Sequence, residues 1–161
     1  HILALERHSR HRWWRLSMLG NLPADLDLGR FDVVVIHYTL VACMDFFVSS
    51  STRQRLSNFK GLKAIFIQDE YRFVDRTTAA MREIGVDVLF TCTPPAETEN
   101  VYPPEKLPGV VVRNVLTGYV PEELLGRPVP GTSQRPIDIG YRGRNVPAFK
   151  NLVYEAFGAS Q

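Results

Sequence analysis

The chain has 161 residues, 45% of them hydrophobic and 22% charged, which is the mix of a globular domain with one ordinary core and little more. Its formal net charge of +2 is too small to imply nucleic-acid binding by itself, and its longest apolar stretches are far too short to span a bilayer. The two cysteines, Cys43 and Cys92, lie among apolar neighbours with no Cys or His at a metal-ligand spacing, so they read as buried free thiols and neither metal nor disulfide is expected.

In chain order, Ile2 to Arg7 reads as the end of an amphipathic helix. His11 to Met18 reads as a strand carrying Trp13, Trp14 and Leu16, and Leu22 to Arg30 as a polar connection. Phe31 to His37 is the clearest element: a continuous β-branched run with no polar alternation suits a central parallel strand. Ser51 to Phe59 is expected to be helical with Gly61 as its stop, followed by a strand over Leu62 to Gln68. Phe73 to Ile84 carries apolar residues at helical spacing and ends at Gly85, and Val86 to Thr91 is the next strand. Pro94-Pro95 bars further strand and opens a short helix, Val110 to Val112 is another strand, and a short helix spans Pro121 to Leu125.

Strand and helix alternate at least three times, which argues for right-handed βαβ units in an α/β, doubly wound, Rossmann-like parallel sheet over residues 1–125. Residues 126–135 are rich in Pro, Gly and small polar side chains and read as a linker. A new strand (Pro136 to Tyr141), a turn (Arg142 to Asn145) and a helix from Pro147 follow, too little to bury a core. The expectation is that 136–161 is the incomplete start of a second domain. The chain is then a piece truncated at both ends, with the first strand of the sheet outside it.

In open parallel sheets ligands bind outside the carboxyl ends of the strands. Those ends carry His37 and Tyr38, then Gln68, Asp69, Glu70 and Tyr71, then Thr91 and Thr93, then Asn114. Each has a plainer role. Asp69 and Glu70 suit the N-terminus of the following helix, where carboxylates are favoured, and at least one is expected to cap it while the other is a candidate acid or base. A lone His is more often a satisfied core residue, but on this edge a neutral His37 imidazole can take a proton from a hydroxyl. Thr91 and Thr93 suit a turn, and Asn114 an Asx-turn. In the turn Gly140-Tyr141-Arg142-Gly143-Arg144 the glycines permit close backbone approach to a phosphate and the arginines offer forked donors, though it matches neither a Walker loop nor a dinucleotide fingerprint. The stretch Arg7 to Arg15 is basic with interleaved tryptophans. It suits a solvated corner with the tryptophans packed inward, or a contact with an anionic membrane or nucleic acid.

The succession of Phe31–Tyr38, Ile67–Tyr71, Asp87–Thr91, a linker, and Ile137–Gly143 resembles bacterial glycosyltransferases of the GT-B architecture, closest to surface-polysaccharide and spore-protein-like members. The resemblance implies an acceptor-binding N-terminal domain and the first loop of a donor-binding domain. A sugar would pass from a nucleotide-sugar co-substrate to a glycan or other hydroxyl acceptor, without a resident cofactor or metal. It implies catalytic roles among His37, Asp69 and Glu70, and acceptor contacts from Tyr38, Gln68, Tyr71, Thr91, Thr93 and Asn114. Gly140, Arg142, Gly143 and Arg144 would face the diphosphate. Most of the donor domain, with its ribose-binding carboxylate, lies outside the chain, so this piece alone is expected to be inactive. A cytoplasmic location, peripheral to the inner face of the membrane, goes with that reading. The alternative is a non-enzymatic, receiver-like signalling or binding module, which the lack of a lysine after the later strands disfavours. A nucleic-acid module is disfavoured by the modest charge.

Overall fold

The computed structural model describes residues 2–116, 118, 122–128, 131–134, 136 and 137. Helix α1 (Ile2–His8) opens the chain, and strand β1 (Val33–Ile36), helix α2 (Ser50–Asn58), strand β2 (Leu62–Ile67), helix α3 (Val74–Ile84) and strand β3 (Val88–Thr91) follow. A single 3-10 turn then leads into the one-turn helix α4 (Thr98–Val101), strand β4 (Val111–Asn114) and the short helix α5 (Glu122–Leu125).

The four strands form one all-parallel sheet in the order β1-β2-β3-β4. The βαβ reading of the sequence therefore stands. Strand order rises without reversal, so right-handed crossovers lay α2 and α3 on one face, where they pack against each other. The order reversal that defines a second winding is not among the described residues.

Register and alternation decide what each face carries. Ile36, Ile65, Leu89 and Val112 form one cross-strand row, and the first three are buried against Leu56, Ala80, Met81 and Ile84 from the helices. One step toward the carboxyl edge, Ile67, Thr91 and Asn114 form the next row on that face. On the other face Phe66 stacks on Phe90, with centroids 4.5 Å apart, while Val33, Leu62 and Val111 stay partly exposed.

Local chemistry explains the helix bounds. Ser49 caps α2 by accepting the Thr52 N–H, and Gly85 closes α3 in the left-handed region (φ 74°), donating to the Arg82 and Met81 carbonyls. Gly61 does not stop α2, which ends in extended backbone at Phe59. A Cβ at Gly61 would collide with the Asp32 carbonyl and the Phe59 ring, so this glycine permits close approach of β2 to the start of β1. The α2 helix is also clamped by arginines: Arg55 donates to the Leu22, Pro23 and Leu26 carbonyls, and Arg53 to Ala42 and Val48 while pairing with Asp45 and Glu83.

The strand expected over His11 to Met18 does not form. Residues 12–18 belong to no helix or strand. The stretch has no β-branched residue, and its two arginines, Arg12 and Arg15, flank the tryptophans, which weakens its case for burial in a ladder.

The chain divides into two compact units, His1–Tyr119 and Val120–Gln161. In the second, α5 and the 3-10 turn Thr132–Gln134 are described. Residues 136 and 137 belong to no strand, and the rest of the expected strand, the Gly140–Arg144 turn and the helix from Pro147 lie outside the described residues.

Candidate functional site

The carboxyl edge of the sheet gathers polar side chains into two neighbouring groups. The first begins at the end of β1. His37 Nδ1 lies 3.0 Å from Thr39 Oγ1, and its ring packs on Tyr38 at 4.1 Å. A turn, with the Leu40 N–H donating to the His37 carbonyl, holds the segment. Burial keeps the imidazole below its ordinary range, so it is neutral at pH 7.

His37 and Tyr38 line a cleft of about 600 Å³ together with Phe66 of β2, Gln68 and Cys92 just after β2 and β3, and Val115 and Leu116 after β4. Its remaining wall comes from α1 and the segment after it: Leu5, His8, Arg10, His11 and Trp13. The lining is mostly apolar and aromatic with a few polar groups, the usual makeup of a small-molecule site. The Trp13 indole N–H is buried without a hydrogen-bond partner among the described residues.

The second group is a hydrogen-bonded knot centred on Glu70. Its Oε1 accepts from the Thr91 hydroxyl (2.6 Å) and from the Cys92 N–H (3.1 Å), tying the loop after β2 to the end of β3. Thr91 lies 3.0 Å from the Thr93 hydroxyl and also bonds the buried Tyr102 phenol. Asn114 donates to the Thr93 carbonyl (2.7 Å) and to Thr98 Oγ1 (2.8 Å), fastening β4 to β3 and to α4. Burial, then the Glu70 charge, pushes both the Cys92 thiol and the Tyr102 phenol up, so both stay protonated at neutral pH.

The structure thus sorts the residues chosen from sequence. His37, Tyr38 and Gln68 share the cleft. Glu70, Thr91, Thr93 and Asn114 bond one another or the backbone between them. Asp69 and Tyr71 are exposed and line neither. Asp69 is the left-handed residue (φ 61°) of the turn whose carbonyl accepts the Arg72 N–H. Neither carboxylate caps α3, whose N-cap is Phe73, itself left-handed at φ 54° and without a side-chain bond. Asn114 bonds the Thr93 carbonyl and Thr98 of α4 rather than closing an Asx-turn. The turn of Gly140, Arg142, Gly143 and Arg144 lies outside the described residues.

Sequence reading missed the cleft roles of Cys92 and Trp13 and the part played by Tyr102. The Cys92 position, directly after β3, carried the available signal. Nothing local marks Tyr102, which reaches Thr91 only through the fold. Among the described residues no group of three or more His, Cys, Asp or Glu side chains is placed to hold a metal, and no helix is long and apolar enough to cross a membrane. No protein-family model, curated protein or solved structure matches the chain.

Proposed function

We propose that this chain is the acceptor-binding half of a GT-B-type glycosyltransferase that moves a sugar from a nucleotide-sugar donor to a hydroxyl acceptor in polysaccharide biosynthesis. The observation that carries the reading is the place of His37, at a strand's carboxyl end and inside a cleft of about 600 Å³, where burial lowers its pKa. In this mechanism His37 takes the proton of the acceptor hydroxyl. The freed oxygen attacks the anomeric carbon, and the bond from that carbon to the diphosphate oxygen breaks, with the electron pair leaving on the diphosphate. Tyr38 and Gln68 orient the acceptor, and aromatic walls from Trp13 and Phe66 suit the apolar faces of a sugar ring. Glu70, Thr91, Thr93 and Asn114 hold the strand ends in place rather than meeting the substrate. The basic turn of Gly140, Arg142, Gly143 and Arg144 would neutralise the diphosphate from the donor side. A second winding of the sheet and a cytoplasmic location belong to the same proposal.

The test is nucleoside diphosphate release by the complete protein from a panel of nucleotide sugars offered with glycan acceptors. Turnover is expected, and His37→Ala should lower it by roughly 10²–10⁴-fold while leaving the urea midpoint nearly unchanged. Absence of release with every donor, or full activity in the His37 variant, overturns the proposal.

A further inference from the structure

Charge is distributed unevenly along this chain. Residues 2–19 hold four arginines (Arg7, Arg10, Arg12, Arg15) and one acid, Glu6, a balance of +3 that exceeds the +2 of the whole protein. All four arginines are exposed. Glu6 pairs with Arg15, at 3.5 Å. Large apolar side chains lie among them without cover: Trp14 is 61% exposed and Leu19 60%, and Leu3 and Leu16 are exposed as well. The Arg12 guanidinium sits 4.9 Å over the Trp14 ring. The tryptophans were expected to pack inward together, but only Trp13 does so, against the cleft.

Exposed arginines alone make an ordinary solvated surface. Exposed leucines alone would suit any apolar partner. A tryptophan and leucines interleaved with arginines, and almost no acid, match an interface that is anionic on its surface and apolar just beneath. That is the headgroup region of a bilayer, where indole rings settle and basic side chains meet anionic lipid. Nucleic acid would satisfy the arginines and stack on Trp14, but it offers the leucines no apolar environment. We infer that the corner formed by α1 and residues 9–19 is a docking surface for an anionic lipid bilayer. Because Arg10, His11 and Trp13 of this corner also line the cleft, docking sets the cleft beside the lipid surface. The inference stands on this corner alone and does not depend on the transferase reading.

Vesicle co-sedimentation of the protein tests it, comparing pure phosphatidylcholine with vesicles containing roughly one-third phosphatidylglycerol. Binding is expected to the anionic vesicles only, to weaken steeply as salt rises toward ~0.5 M, and to shift tryptophan emission to the blue. Arg12 and Trp14 are exposed and do not line the cleft, so variants at these positions should keep the parent circular dichroism and urea midpoint. Arg12→Glu reverses one charge and should weaken anionic-vesicle binding about 25-fold, at about fivefold per unit charge. Trp14→Ser should weaken it about fivefold or more and remove most of the emission shift. Equal binding to neutral vesicles, no binding to either kind, or unaltered binding by Arg12→Glu overturns the inference. So does a single-stranded RNA oligonucleotide that binds more tightly than the anionic vesicles and displaces them.

Discussion

Glu70 is where a catalytic and an architectural role make opposite predictions. Its carboxylate accepts two hydrogen bonds from β3 and the residue after it, from the Thr91 hydroxyl and the Cys92 N–H. A bond to a charged acceptor contributes about 1.5–3 kcal/mol when buried. Glu70 itself is only half-buried, and the Thr91 hydroxyl can turn to Thr93 Oγ1 at 3.0 Å, so part of the loss is recovered. Glu70→Ala should therefore cost about 2 kcal/mol, which lowers a urea midpoint by about 1 M at an m-value near 2 kcal/mol/M. Glu70→Gln keeps one carbonyl oxygen and should cost roughly half as much. Thr91→Val combined with Glu70→Ala should show a coupling energy of about 1 kcal/mol in a double-mutant cycle.

The Cys92 thiol gives a second readout that depends on charge alone. Burial raises its pKa most, and the Glu70 carboxylate raises it further by opposing the thiolate. Removing that negative charge lowers the thiol pKa toward its ordinary value, so alkylation of Cys92 at pH 8, followed by mass spectrometry, should run faster in both Glu70 variants. A midpoint shift below about 0.3 M for Glu70→Ala, with no change in Cys92 labelling, refutes the knot. Loss of turnover in Glu70→Gln at unchanged stability would return Glu70 to the reacting groups.

His37 predicts a pH dependence of stability. Its pKa in the fold is depressed by burial, so the unfolded chain binds its proton more readily. The stability tied to the neutral ring is present above the ordinary value near 6.5 and is lost as pH falls from there through the lower folded value. His37→Gln should flatten the fall in urea midpoint between pH 7 and about pH 5; an unchanged slope means another group titrates. Arg53→Met should cost about 2–4 kcal/mol by thermal or urea unfolding, because the Ala42 and Val48 carbonyls lose a common donor while Asp45 and Glu83 simply return to water. Gly85→Ala should cost about 1–2 kcal/mol from its left-handed backbone, and Gly61→Ala about 1–3 kcal/mol from overpacking against Asp32 and Phe59.

The difference between those two glycines shows what the sequence could and could not disclose. Gly85 follows an apolar period that ends at Ile84, so its role as a helix stop is written in its neighbours. Gly61 follows the expected end of a helix by two residues, yet its reason for being glycine is the Asp32 carbonyl just before β1. The uninterrupted apolar run Val33–Ile36 is legible as a parallel strand, but among the described residues it lies at the sheet's edge rather than at its centre, with Val33 exposed and Ile36 buried. The tryptophan-rich stretch after α1 was misread. Hydrophobic content suggests a strand, but only a neighbouring edge can complete one, and no ladder forms there.

The same distinction runs through the site. That polar residues would collect at the carboxyl edge follows from strand direction, and His37, Tyr38 and Gln68 do meet in one cleft. Which carboxylate would be available there does not follow. Asp69 and Glu70 are adjacent, identical in formal charge and equally placed by the strand that precedes them. The left-handed turn at Asp69 sends the two residues to different surroundings, one exposed and one bonded to Thr91 and Cys92. A difference of one residue in where the chain turns thus decides which carboxylate braces the edge. That is why a proton acceptor for the cleft is better sought in His37, whose ring the cleft itself keeps neutral, than in the acidic pair beside it.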